Sequence, residues 1–189
     1  MVYFRLLPLF WLLLLAGGLT FPFQVWAQDM ELKNMALDNV SGSIQLSYGI
    51  QVREVQALEE HLSEGLVLRL QCRAKLIRDR RWWWDALLQE EQQEFQLRIQ
   101  RLQGNYVLSS KQQDKALKGQ DLGRLLQRGW SGMKLRLGKW EQLEPEQDYA
   151  VVIKLSLKRS NVPWWLRKAL FFWSWDVIPE QKYRMDFKY

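Results

Sequence analysis

The sequence predicts a mainly β protein: an antiparallel two-layer β-sandwich of about seven to eight strands with two or three short helices. Three observations carry that expectation. Stretch after stretch alternates apolar and polar residues with a period of two, the signature of a half-buried strand. Only three short segments show helical spacing. The one-sided alternation suits antiparallel sheets packed face to face, whose outer faces stay wet.

In chain order, a weak first strand falls at 30–37. In 44–52, Ile44, Leu46, Tyr48, Ile50 and Val52 share one parity. Residues 54–63 place Val55, Leu58 and Leu62 at helical spacing. In 66–77, Leu66, Leu68, Leu70, Cys72, Ala74 and Leu76 oppose Arg69, Gln71, Arg73 and Lys75. Phe95, Leu97 and Ile99 mark a strand at 95–99, and Gly104-Asn105 a turn into a short strand at 106–110. A helix at 120–128 carries Leu122, Leu125 and Leu126, with Gly129 as its stop. Strands follow at 133–137, 148–158 and 183–189. Pro163 opens a third helix at 163–173.

The chain has 189 residues, room for one domain with a true core. Residues 1–27 have the make-up of a cleaved signal peptide. Arg5 forms a positive start, Leu9 to Leu19 an apolar run, and Val25-Trp26-Ala27 a cleavage site. The run is shorter than the roughly 20 residues of a spanning helix. The expected product is a periplasmic domain, 28–189, cut after Ala27. Without residues 1–27, which hold one base and no acid, the net charge falls from +6 to +5. Such a surface attracts anions at low salt. Cys72 is the only cysteine, so no internal disulfide is expected, and its apolar-face position predicts a buried, inert thiol.

Catalytic signals are poor. His61 is the only histidine and reads as a surface helical residue. There is no G-x-S-x-G elbow, no His/Cys metal cluster and no glycine-rich phosphate loop. No metal and no cofactor is therefore expected. A hydrolase of envelope polymers would need paired carboxylates, for which Asp79, Asp85 and Asp176, beside tryptophans, are the candidates.

Binding signals are stronger. Arg69, Arg73, Lys75, Arg98, Lys134, Arg136, Lys154, Lys158, Arg184 and Lys188 occupy the polar faces of strands. If neighbouring strands pair, these make a basic stripe; the plain alternative is a solvated face of long stems. Residues 78–85 read RDRRWWWD. In an extended segment Trp82 and Trp84 point one way and Trp83 the other, so at least one ring faces outward. Arg78, Arg80 and Arg81 can lie across exposed indoles. Either the arginines shield a strand end, or the segment is an aromatic and cationic contact surface of the kind hot spots favour. The second aromatic cluster, 163–176, brings Trp164, Trp165, Arg167, Lys168, Trp173 and Trp175. It fits a helix packed on the sheet or one lying at an anionic membrane surface. The alternation back from Tyr189 also resembles the last strand of a small outer-membrane β-barrel, although the helices and the cationic faces oppose a narrow barrel.

The Leu-rich strand 66–76, the run Arg80-Arg81-Trp82-Trp83-Trp84-Asp85, the Val162-Pro163 turn and the Trp175-Asp176 pair occur in an order that resembles a family. It is the proteobacterial exported proteins of domain of unknown function family 4390. The resemblance implies an exported envelope protein without a known activity. Some members are encoded beside a two-component sensor kinase, which implies an envelope-sensing role. The expected partner is an envelope protein, such as a sensor's periplasmic domain, or an anionic membrane surface. Nucleic acid is not expected for an exported chain.

Overall fold

The computed structural model describes residues 30–80, 84–160 and 176–189. The segment read as a signal peptide and the helix read at 163–173 lie outside them. The described residues form two antiparallel sheets with two α-helices, the sandwich that the alternation predicts.

The first sheet is a triplet. Strand β1 (Met30–Val40) turns into β2 (Ser43–Val52), and β2 pairs on its other side with β7 (Met133–Lys139). The β1–β2 turn has positive φ at both Ser41 and Gly42. That is the primed type of two-residue turn, whose twist matches the strands. Asn39 Oδ1 accepts from the Gly42 N–H at 3.0 Å and closes it.

The second sheet has six strands in the order β6-β5-β4-β3-β8-β9. These are β3 (Leu68–Arg78), β4 (Ala86–Gln100), β5 (Asn105–Ser110), β6 (Gln113–Gly119), β8 (Asp148–Arg159) and β9 (Asp176–Lys188). Its inner face presents Leu68, Leu70, Cys72, Ala74 and Leu76 from β3 and Val151, Ile153, Leu155 and Leu157 from β8. The triplet covers this face over β9 to β4. Gln93 clamps the layers: its Oε1 accepts from the Tyr48 hydroxyl at 3.0 Å, and its Nε2 donates to the Lys134 carbonyl at 2.8 Å. At the other edge the Tyr183 hydroxyl donates to the Met30 carbonyl at 3.0 Å.

Helix α1 (Val55–Ser63) links β2 to β3, burying Leu58 and Leu62. Helix α2 (Leu122–Trp130) covers β5 and β6, where the triplet does not reach, with Leu122, Leu125, Leu126 and Trp130. Asp121 caps it by accepting from the Arg124 N–H at 2.9 Å. Asp121→Ala is expected to lower stability by about 1 kcal/mol in urea denaturation; no change would show the cap to be idle.

The structure corrects several sequence expectations. Gly129 does not stop its helix, which runs on to Trp130. A Cβ at Gly129 would lie 2.3 Å from Leu108 Cδ2, so the glycine serves close packing on β5. Strand β4 begins nine residues earlier than its alternation. Residues 89–94 are polar on both faces and are held by cross-strand partners, Arg73 and Lys75 reaching Glu90 at 3.2 Å each. Strand β6 was not expected at all, because QDKALKG has one large apolar residue, Leu117. No closed barrel forms among the described residues, since β6 and β9 end the large sheet unpaired with each other.

A candidate interaction surface at the β3–β4 end

The arginines of RDRRWWWD have separate fates. Arg78 is opposite Tyr149 on the inner face. Its two terminal nitrogens donate to both Glu144 oxygens at 2.7 and 3.1 Å, and its guanidinium lies 6.0 Å from the Tyr149 ring centre. Its side chain is 18% exposed. Arg78 therefore closes the end of the core. The two-pronged geometry suits a planar guanidinium and holds the chain entering the turn. Arg80 is exposed. Arg81, Trp82 and Trp83 lie outside the described residues.

Trp84 is 88% exposed, and Leu87 53%. Leu87 pairs with Ile77 at a β-bulge, where the register slips by one residue at Leu88. The slip re-aims the start of β4. Beneath Leu87, on the outer face of the large sheet, Ile77, Ala150 and Val152 form a small apolar cluster of their own, apart from the main core. This cluster was missed in the sequence. Its signal was present as doubled apolar runs, Leu76-Ile77 and Ala150-Val151-Val152-Ile153, which break strict alternation and put apolar side chains on both faces.

Charged groups rim the patch. Arg184 donates from Nε to Asp186 at 2.7 Å and from a terminal nitrogen to Asp79 at 2.6 Å. The Asp186 hydrogen bond, with Asp79 and Asp85 near, raises the guanidinium above its ordinary pKa. The backbone holds this corner as well: the Asp79 N–H donates to the Asp148 carbonyl at 2.9 Å. A cavity lined by Asp79, Asp148, Tyr149, Asp186 and Phe187 opens here, and Phe187 stacks on Tyr149 with ring centres 5.6 Å apart.

Of the carboxylates named as hydrolase candidates, Asp79 and Asp85 both lie near Arg184, and Asp176 lies apart from them. Asp79 and Asp186 share one arginine, while Asp176 is opposite Lys158 at the other end of the sheet. The two ends are about ten residues, roughly 33 Å, apart along β3. The same register separates the tryptophan-rich segments. Residues 79–85 leave the end of β3, whereas 161–175 join Ser160 to Asp176 at its beginning. Trp164, Trp165, Arg167, Lys168, Trp173 and Trp175 lie outside the described residues.

The basic stripe expected from strand pairing is divided. Lys134 and Arg136 belong to the triplet, on the opposite side of the sandwich. On the large sheet Arg69 meets Glu94, Lys154 meets Glu180 and Lys188 meets Glu146. Much of the cationic face is thus neutralised by acids from neighbouring strands. His61 is only partly exposed, its Nδ1 4.0 Å from a Glu64 oxygen. No group of three metal-ligating side chains occurs among the described residues. Cys72 is buried, and burial pushes its thiol up to about 12 against the opposing hydrogen bond of Tyr48.

Fold and surface together define a two-layer antiparallel β-sandwich whose outer face is laced by ion pairs, with one aromatic and aliphatic patch at a sheet end. The profile of a domain of unknown function, DUF4390, matches residues 27–186, and the chain belongs to that family. No solved structure and no functionally curated protein matches it.

Proposed function

We propose that the chain is an exported, periplasmic binding module of the cell envelope that docks a protein partner at the β3–β4 end and performs no chemistry itself. The carrying observation is Trp84: an indole 88% exposed just before β4, on which Leu87 is 53% exposed and pairs with Ile77 of the outer apolar cluster. Large apolar side chains grouped in water stabilise nothing while exposed and gain free energy only when covered. The rim of Arg184, Asp79 and Asp186 completes the pattern of an apolar centre ringed by polar groups. The resemblance, which implies that some members are encoded beside a sensor kinase, makes the extracytoplasmic domain of such a sensor the partner to test.

Because Trp84 is so exposed, Trp84→Ala is expected to leave the denaturation midpoint unchanged. It is expected to weaken binding to the purified sensor domain about thirtyfold or more, as for an interface hot spot. A photo-cross-linker at position 84 should trap that domain in cells, and one at Val40, at the tip of the β1–β2 hairpin, should not. Equal trapping at both positions, or unchanged binding by the alanine variant, sinks the proposal.

A further inference from the structure

Charge on the outer face of the large sheet is sorted from one end to the other. At the β3–β4 end, Asp79, Asp85 and Asp186 lie around Arg184, and Asp148 is opposite Lys188. In the middle, Arg73, Lys75 and Lys154 meet Glu90 and Glu180. At the opposite end the balance reverses. Arg98, Val107 and Lys118 form one cross-strand row over β4, β5 and β6, with Val107 buried between the two cations. Arg98 and Lys118 make no ion pair among the described residues. Arg128, on α2 at the inner side, reaches the same edge strand, its guanidinium donating to the Lys118 carbonyl at 3.1 Å. Arg69 and Lys111 share a single acid, Glu94, at 3.3 and 3.5 Å. Arg98, Lys118, Arg69 and Lys111 thus have a single ion-pair partner, Glu94, among the described residues.

Of the three stretches of chain outside the described residues, 161–175 joins the fold beside the beginning of β3, while 81–83 joins it at the end of β3. Met30 is paired with Val52, which leads into α1 and the beginning of β3, and Ser160 donates its N–H to Val67 at 2.7 Å. Asp176 pairs with Lys158 beside them.

We propose that the Arg98–Lys118 half of the outer face docks on an anionic lipid bilayer, with the acidic β3–β4 end and Trp84 held away from it. Cations at such a surface interact with many lipid phosphates at once, and the attraction decays within a Debye length. The sorting of charge selects the orientation, since the other end would be repelled. The inference stands on the charge distribution and is independent of the protein contact at Trp84.

The test is sedimentation of the purified full chain with vesicles of neutral phosphatidylcholine, and with vesicles containing about one third phosphatidylglycerol. At about 0.1 M salt the anionic vesicles are expected to bind at least tenfold more protein, a preference lost near 1 M salt. Arg98→Gln with Lys118→Gln should reduce binding to anionic vesicles about tenfold and leave neutral vesicles unaffected. Lys188→Gln, at the acidic end, and Trp84→Ala should change neither. Equal binding to both vesicles, a double variant indistinguishable from the parent, or an equal loss with Lys188→Gln overturns the proposal. Salt-sensitive binding of a DNA duplex in place of the vesicles overturns it as well.

Discussion

Trp130→Ala is expected to lower the unfolding free energy by about 3–5 kcal/mol, the usual cost of emptying a large aromatic site. Trp130 is the last residue of α2 and is fully buried. It anchors the helix that covers β5 and β6, the part of the large sheet beyond the reach of the triplet. Its indole N–H has no hydrogen-bond partner among the described residues. That makes a second variant informative. Trp130→Phe keeps most of the apolar contact and removes a donor that gains nothing from its surroundings, so it should cost less than half as much. Urea denaturation at constant m-value measures both. If the alanine variant falls within about 1 kcal/mol of the parent, α2 is not held by this side chain. If phenylalanine costs as much as alanine, the N–H has an acceptor after all.

Raising the pH from about 9 to about 12 is expected to remove up to about 4 kcal/mol of stability through Cys72 alone. In the folded chain the thiol sits on the inner face of β3, beneath Tyr48, where an anion has little solvation. Burial moves its pKa from an ordinary 9.0 up to about 12. The unfolded chain releases the proton near 9, whereas the folded chain keeps it until about 12. Over that window the unfolded state binds fewer protons, so stability falls as pH rises, by about 1.4 kcal/mol per unit. Below the unfolded value this contribution is constant. Tyr48, raised mainly by the same burial, adds a fall of the same sign at higher pH. Cys72→Ala isolates the thiol: its stability should decline less steeply than the parent's above pH 9. Parallel slopes would mean that the folded thiol ionises as easily as a free one. The same burial predicts that a thiol reagent labels Cys72 only as the chain unfolds.

The two proposed contacts occupy opposite ends of one sheet. Their separation follows from register, because Trp84 precedes the start of β4 while Arg98 lies near its end, in row with Val107 and Lys118. A partner engaged at Trp84 would stand roughly 33 Å from the Arg98–Lys118 corner. The domain would then act as a spacer between a bilayer and a protein.

Several features were legible in the sequence because they depend on neighbours along the chain. Alternation placed Leu68 to Leu76 and Tyr149 to Leu157 on inner faces, and it predicted the buried thiol of Cys72. Spacings of three and four located α1 and α2 to within two residues. The run of tryptophans in RDRRWWWD marked an unusual strand end, and Trp84 is exposed there. Tertiary structure decided the rest. It sent Lys134 and Arg136 to a different sheet from Arg98, turned Arg78 inward onto Glu144, and moved Asp176 away from Asp79. It also set Gly129 so close to β5 that a Cβ there would force the Leu108 side chain to shift. The physical reason is common to all of these. Apolar periodicity is a local property, set by which face of an element meets the core. Which charges neutralise one another, and which turns share an end, depends on strand order and register between residues far apart in sequence, and only the packed sheets determine those.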